Sequence, residues 1–357
     1  MEPTSEAILA ALGNVIDPEL RQPVTELDMV RDVTIDGGKV AITLALTVAG
    51  CPLRNSFEEQ VGREVGAVAG VESVRLEFDV MTPDERAALT TRLRGGRPAD
   101  DRAIQLDPTT RVIAVVSGKG GVGKSSLTAN LAAALSLMGK RVGVLDADIY
   151  GHSIPHLLGI NQKPVLVDRL MIPPVKGDLK LMSIGFFTDD NQPLMWRGPM
   201  LHRALEQFLQ DVHWGELDVL VVDMPPGTGD VSISLGQLLP HAEAVLVTTP
   251  QPLAQEVAGR AAAMAQKTGM TLLGVVENMT SDVFGAGGGD RLAADLDVRF
   301  LGSVPLDARV RESAESGEPL VWADPGCEPA EAMLELARVV DASRSAGFTR
   351  TLPLLVS

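Results

Sequence analysis

Two hydrophobic patterns share this chain. Apolar and polar positions alternate in the strand-like runs of residues 1–93, whereas later strand-like runs are almost continuously apolar. Residues 4–13 read as a helix, and Asp17, Pro18, Glu19 and Leu20 as a turn into a helix start, since proline suits the first helical position. Residues 30–35 and 39–48 read as strands, the second alternating as AITLALTV, with Asp36, Gly37 and Gly38 supplying a hairpin turn. A helix over 52–68 and a strand over 71–78 complete a small α+β domain.

Residues 94–108, RGGRPADDRAIQLDP, mix glycine, proline and charge, the composition of a linker. The expected division is therefore 1–93, a 94–108 linker, and a second domain over 109–357. In that domain β-branched runs recur as RVIAVVS, RVGVLDAD, LKLMSIGF, LDVLVVDMPP, EAVLVTTP, LLGVVENM and RFLGSVPL, mostly with helix-like segments between them. Apolar strands alternating with helices predict an α/β fold: a mostly parallel sheet covered by helices. Ligands of such sheets bind at the carboxyl ends of the strands.

Composition narrows the function. At 357 residues the chain is long enough for two cored domains. It has no run of eighteen apolar residues and no basic, apolar leader at MEPTSEAILAALG, which argues against a membrane span or a signal peptide. Two cysteines do not make a disulfide framework and fit a cytoplasmic protein. The formal net charge of −16 disfavours nucleic acid and anionic lipid as partners.

The chemistry is concentrated after the apolar runs. Gly118, Lys119, Gly120, Gly121, Val122, Gly123, Lys124 and Ser125 match G-x-x-x-x-G-K-[ST], directly after a strand and before a helix. Glycines let the backbone N–H groups turn toward phosphates, and the following helix aims its positive end at them. Lys124 is placed to meet the β/γ-phosphates of a nucleotide, and Ser125 to ligate Mg²⁺, with Ser126 beside it. Asp146 and Asp148 end VLDAD, and Asp223 ends VLVVD. Asp223 and Asp146 are the expected Mg²⁺ carboxylates and Asp148 the group that orients the attacking water; the alternative for each is a helix cap.

GKGGVGKS resembles the deviant Walker A loop of the MinD, ParA and nitrogenase-iron-protein superclass. That resemblance implies that Lys119 reaches across a homodimer to the partner's ATP; a solvated loop lysine is the alternative. SGKGGVGKSS, LDADIYGHSIPHLLG, MWRGPM, WGELDVLVVDMPPGTGD, VTTPQPLA, GVVENM, GGGDRLA and FLGSVPLD together resemble the Mrp/ApbC/Nbp family of P-loop ATPases. DPEL, VTELDMVRDV and TVAGCPLRN resemble the iron–sulfur-assembly domain often fused ahead of it. The resemblance implies slow ATP hydrolysis by a homodimer that serves iron–sulfur cluster assembly, with apo-protein clients or assembly proteins as partners. It also places Asn278 on adenine, with Pro305 and Asp307 nearby; on spacing alone Asn278 is equally a turn or helix cap.

One departure matters. The family carries a Cys-x-x-Cys pair just after ENM, whereas this chain reads ENMTSDVFGAGGGDRL, without cysteine. Clusters need thiolates, usually four. Cys51, before Pro52 at a predicted helix start, is the candidate cluster or client contact, its alternative being a small buried hydrophobe. A nucleotide-switched adaptor that holds no cluster is the competing function, and a DNA- or membrane-positioning ATPase ranks behind both. His152 reads as polar loop surface, and Trp196 and Arg197 as packing or a dimer face.

Overall fold

The computed structural model describes residues 2–48, 54–96, 106–149, 151–187 and 198–343. Contacts divide the chain into two units. The first takes residues 1–105, 163–175 and 209–215, and the second takes 106–162, 176–208 and 216–357. The expected linker is not the only crossing point, because two segments far beyond it pack with the N-terminal residues.

The first unit starts with α1 (Ser5–Leu12), whose N-cap Thr4 accepts the Ala7 N–H and whose Ile8 and Leu12 are buried. Strands β1 (Val30–Asp36) and β2 (Lys39–Leu46) form the expected antiparallel hairpin, turning at Gly37 with φ +58°. Helix α2 (Arg54–Gly66) buries Phe57, Val61 and Val65, four residues apart and so on one face. Strand β3 (Ser73–Val80) then runs parallel to β2, giving the order β1-β2-β3. Val40, Ile42 and Leu44 of β2 alternate into the core with these helix residues.

Two features depart from expectation. Asp17 and Pro18 open no helix: Asp17 Oδ1 accepts the N–H groups of Glu19 and Leu20, and Asp17 O accepts that of Arg21, which closes a turn. An aspartate carboxylate competes with helix continuation in this way. An additional helix, α3 (Pro83–Leu93), follows β3. Its start is a capping box in which Thr82 and Glu85 bond each other's backbone, with proline in the first turn. An antiparallel hairpin, Val165–Val167 with Leu170–Ile172, adds Val167, Leu170 and Ile172 to the first unit's core. Thr90 of α3 donates to the Val167 carbonyl.

The second unit holds an eight-stranded sheet. Strand β4 (Arg111–Ser117) leads into α4 (Lys124–Leu137), then β5 (Val142–Asp146) and the single turn α5 (Ile154–Leu157). The hairpin strands above are β6 and β7; β8 (Val175–Lys176), β9 (Leu179–Ser183) and α6 (Gly198–Gln210) follow. Next come β10 (Val219–Asp223), α7 (Asp230–Leu238), β11 (Glu243–Thr248), α8 (Pro252–Lys267) and β12 (Thr271–Thr280). The chain continues through α9 (Gly288–Asp295), β13 (Arg299–Pro305), α10 (Ala308–Ser316), α11 (Leu320–Ala323) and α12 (Glu328–Ala342).

The sheet order is β13-β12-β11-β4-β10-β5-β9-β8, and every pair from β13 to β9 is parallel. The central strands are mostly apolar and, beyond the first two residues of β4, buried, as a sheet flanked by helices requires. Helix α4, rich in alanine, packs against β4, β5 and β10, with α11 and α12 also against it. From β4 the chain moves to β5 on one side, and from β10 it moves to β11 on the other. The strand order therefore reverses at β4, where a ligand crevice is expected.

Candidate functional site: a phosphate loop over paired carboxylates

The glycine loop lies between β4 and α4. Gly121 and Gly123 have φ near +80°, a region that side-chain-bearing residues seldom adopt, and Gly123 is the N-cap of α4. Gly118 is required for a different reason: an added Cβ would lie 2.3 Å from the Val257 carbonyl carbon in α8. The loop is also tied across the sheet, since Gly227 of the DMPPGTGD segment donates to the Ser117 carbonyl at 2.8 Å. Lys119 is exposed, as are Gly120 and Gly121, while Val122 is buried.

Parallel register brings the carboxylates together. Asp223 sits beside Asp146 across β10 and β5, and both side chains are buried. The Lys124 Nζ lies 2.8 Å from Asp223 Oδ1 and 3.5 Å from Asp148 Oδ2. Ser125 Oγ donates to Asp223 Oδ2 at 2.6 Å. Asp146 accepts from Ser183 Oγ at 2.9 Å and from the N–H groups of Asp148 and Ile154.

Burial pushes both buried carboxyls up from the usual range. For Asp146 the neighbouring Asp223 adds to burial, while Ser183 opposes. For Asp223 the Lys124 ammonium, Ser125 and Thr128 oppose burial. One cation thus faces two adjacent buried carboxylates with a third close by.

The oxygen donors suit a hard divalent cation. Mg²⁺ is commonly held by one or two carboxylates plus substrate phosphates and waters. Ser125 and Asp223 share one hydrogen bond, and Asp146 stands beside Asp223, so these residues fit Mg²⁺ carried in on a nucleotide. Among the described residues there is no cluster of three or more His, Cys, Asp and Glu able to hold a metal by themselves.

Other expected residues are placed as follows. Asn278 is buried at the end of β12, and its Nδ2 donates to the Val122 carbonyl of the loop at 2.8 Å. Pro305 pairs with Thr280 two residues beyond it. Asp307 is the N-cap of α10; the Arg309 guanidinium and N–H hold its carboxyl down at about 2. Ser126 lies in the first turn of α4, its carbonyl accepting from Asn130. His152 packs near Gly185. Cys51, Trp196 and Arg197 lie outside the described residues, and Cys327 is a buried free thiol at the N-cap of α12.

Two site residues were not anticipated. Thr128 donates to Asp223 Oδ1 at 2.9 Å and to the Lys124 carbonyl. It follows Lys124 by one helical turn, and that spacing is the signal in the sequence. Ser183, at the end of β9, reaches Asp146 only because β9 is parallel to β5 in register, which no local motif announces.

A glycine loop at the head of a helix, beside the reversal of a parallel sheet and above strand-end aspartates, defines a P-loop nucleotide-binding protein. A family model described as NUBPL iron-transfer P-loop NTPase matches residues 108–341, and one described as iron-sulfur cluster assembly protein matches residues 5–76. The chain belongs to the iron-transfer P-loop NTPase family, with the assembly-type domain ahead of it. It is 50% identical over 336 residues to a protein of Mycobacterium tuberculosis named iron-sulfur cluster carrier protein, covering 89% of this chain and 88% of that one.

Among solved structures, the nucleotide-binding protein of Archaeoglobus fulgidus in complex with ADP is 37% identical at a TM-score of 0.52. That match covers 61% of this chain and 93% of that one. The septum site-determining protein MinD of Pyrococcus horikoshii, complexed with Mg-ADP, is 25% identical at a TM-score of 0.52, covering 65% and 96%. Both likenesses accord with the fold expected for the second domain.

Proposed function

We propose that this protein is a cytoplasmic, Mg²⁺-dependent ATPase that works as a homodimer and delivers iron–sulfur clusters to apo-proteins or assembly partners. The observation that carries the nucleotide half is the cluster of Lys124, Ser125 and Asp223 within hydrogen-bond reach of one another at the loop. The cargo half is supported by the relatives' shared name and by the assembly-type domain.

We assign the residue roles as follows. Lys124 exchanges Asp223 for phosphate oxygens when ATP arrives, and the loop amides at residues 118–123 bind the remaining phosphate charge. Ser125 and Asp223, with Asp146 behind, would hold Mg²⁺, which would supply charge compensation for the phosphates. Asp148, 3.5 Å from Lys124, is positioned to orient water. The exposed Lys119 is suited to the partner subunit's nucleotide. Asn278, Pro305 and Asp307 form the nucleoside side of the site.

The cargo is not carried after ENM, because that loop contains no cysteine. Cys327 is buried, so we assign cluster or client contact to Cys51. The test is protein purified without oxygen, assayed for iron and acid-labile sulfide and for ATP turnover. Stoichiometric iron and sulfide that fall in Cys51→Ser, with ATP turnover retained, support the reading. ATP turnover with no iron in either protein favours the adaptor reading instead, for which the cysteine-free loop is the specific support.

A further inference from the structure

The segment AGGGD after β12 looks like a second phosphate loop, but it is already filled. Glu277 is 1% exposed, and its carboxylate accepts three successive backbone N–H groups. Oε2 takes that of Gly287 at 2.9 Å, and Oε1 takes those of Gly288 and Gly289 at 2.6 and 2.9 Å. The glycines are a matched cradle. Gly287 has φ +84°; a Cβ on Gly288 would lie 2.6 Å from the Pro250 carbonyl oxygen, and one on Gly289 2.7 Å from Glu277 Cβ. The carboxylate also completes the N-terminus of α9, where the helix presents unpaired N–H groups.

The two residues that follow face the nucleotide loop. Asn278 Nδ2 donates to Val122, and that atom would lie 2.2 Å from a Cβ on Gly123. The Met279 Cε would lie 3.3 Å from the same Cβ. Met279 has φ +64°, and the pairing of β12 with β13 slips between Asn278 and Thr280. A left-handed non-glycine residue is strained and persists only where its surroundings enforce it. Glu277, paired in the sheet with Thr248 and Ser303 and gripped through its carboxylate, is the fixed point next to that irregularity.

We propose that Glu277 is a positioning residue for nucleotide binding: its carboxylate, clamped by Gly287, Gly288 and Gly289, holds Asn278 against the P-loop. The clamp also accounts for the run of glycines at 287–289. This proposal rests on the nucleotide-binding reading of the same site.

The test is a double-mutant cycle on the full chain with Mg-ATP as the titrant, read by calorimetry. Glu277→Gln keeps the shape but sets an amide donor among three N–H donors, so the ATP Kd is expected to rise about tenfold. If Glu277 acts through Asn278, then E277Q/N278A binds within about twofold of N278A alone, because shared interactions are not lost twice. Losses that multiply, an E277Q protein with wild-type affinity, or an N278A protein with wild-type affinity would each overturn the proposal. Glu277→Asp, with the charge on a shorter arm, is scored by the same criteria if E277Q does not fold. Wild-type protein that fails to bind ATP would instead overturn the nucleotide-binding reading, before any variant is compared.

Discussion

Lys124 and Asp223 form a buried ion pair, with Nζ 2.8 Å from Oδ1. In the proposed function the same ammonium meets phosphate. Lys124→Ala leaves Asp223 buried beside Asp146 with no cation, at a cost of about 3 kcal/mol. Adding Asp223→Asn to that background removes the orphaned charge and recovers most of the loss. Neither protein binds ATP. Thermal unfolding with and without Mg-ATP checks this: the wild-type midpoint rises with ligand, and both variants ignore it. A double variant no more stable than the single one would contradict the account.

Lys119 offers the opposite profile. It is exposed, so Lys119→Ala changes stability by less than about 0.5 kcal/mol. ATP still binds one subunit, while ATP-dependent dimerisation and turnover fall by about tenfold or more. Sedimentation and phosphate release, measured on the same samples as the ATP titration, separate the two lysines. Loss of ATP binding equal to that of Lys124→Ala would remove the case for a role across subunits.

The position of the glycine loop between β4 and α4 was readable in the sequence because a P-loop is a local motif. Its strand, glycines and helix are contiguous, so spacing alone places Lys124 and Ser125. The strand-end aspartates were legible for the same reason. Thr128, one helical turn after Lys124, carried a spacing signal that went unused, whereas Ser183 reaches Asp146 through sheet register, which no local motif announces. Helix α3 did carry a signal, the TPDE capping box, in a stretch with little apolar periodicity. The turn at Asp17 resembles a helix start in composition, and only the capture of two N–H groups by its own carboxylate distinguishes it. The clamp on Glu277 spans ten to twelve residues around a turn, and three glycines alone do not say which anion fills them.

Glu19, in that turn, makes the first unit's stability depend on pH. Burial, and secondarily Asp17, pushes its carboxyl up to about 7 from an ordinary value of 4.5. The folded chain therefore holds this proton more tightly than the unfolded chain. The associated stability is fully present below pH 4.5 and is lost as pH rises through about 7. Glu19→Gln stays neutral throughout, so it should exceed the wild type by about 2 kcal/mol at pH 8 and match it near pH 4. Urea unfolding at the two pH values reads the difference. An equal gap at both would mean that Glu19 acts by packing rather than by charge.

Two glycines of the phosphate loop separate backbone crowding from phosphate contact. At Gly118 an added Cβ meets the Val257 carbonyl carbon at 2.3 Å and the Ala258 nitrogen at 2.4 Å, both backbone atoms of α8 that no rotamer change can move. Gly118→Ala must therefore shift α8 against β4 and is expected to cost about 2–3 kcal/mol. Gly120 has no heavy atom within 4 Å of such a Cβ, and it is not among the positive-φ glycines. Gly120→Ala should fold with a stability within about 0.5 kcal/mol of the wild type, any loss being confined to nucleotide affinity. Denaturation of the two ligand-free variants side by side decides the matter. If Gly120→Ala proves the less stable, the packing of α8 over the loop is not what requires glycine at 118.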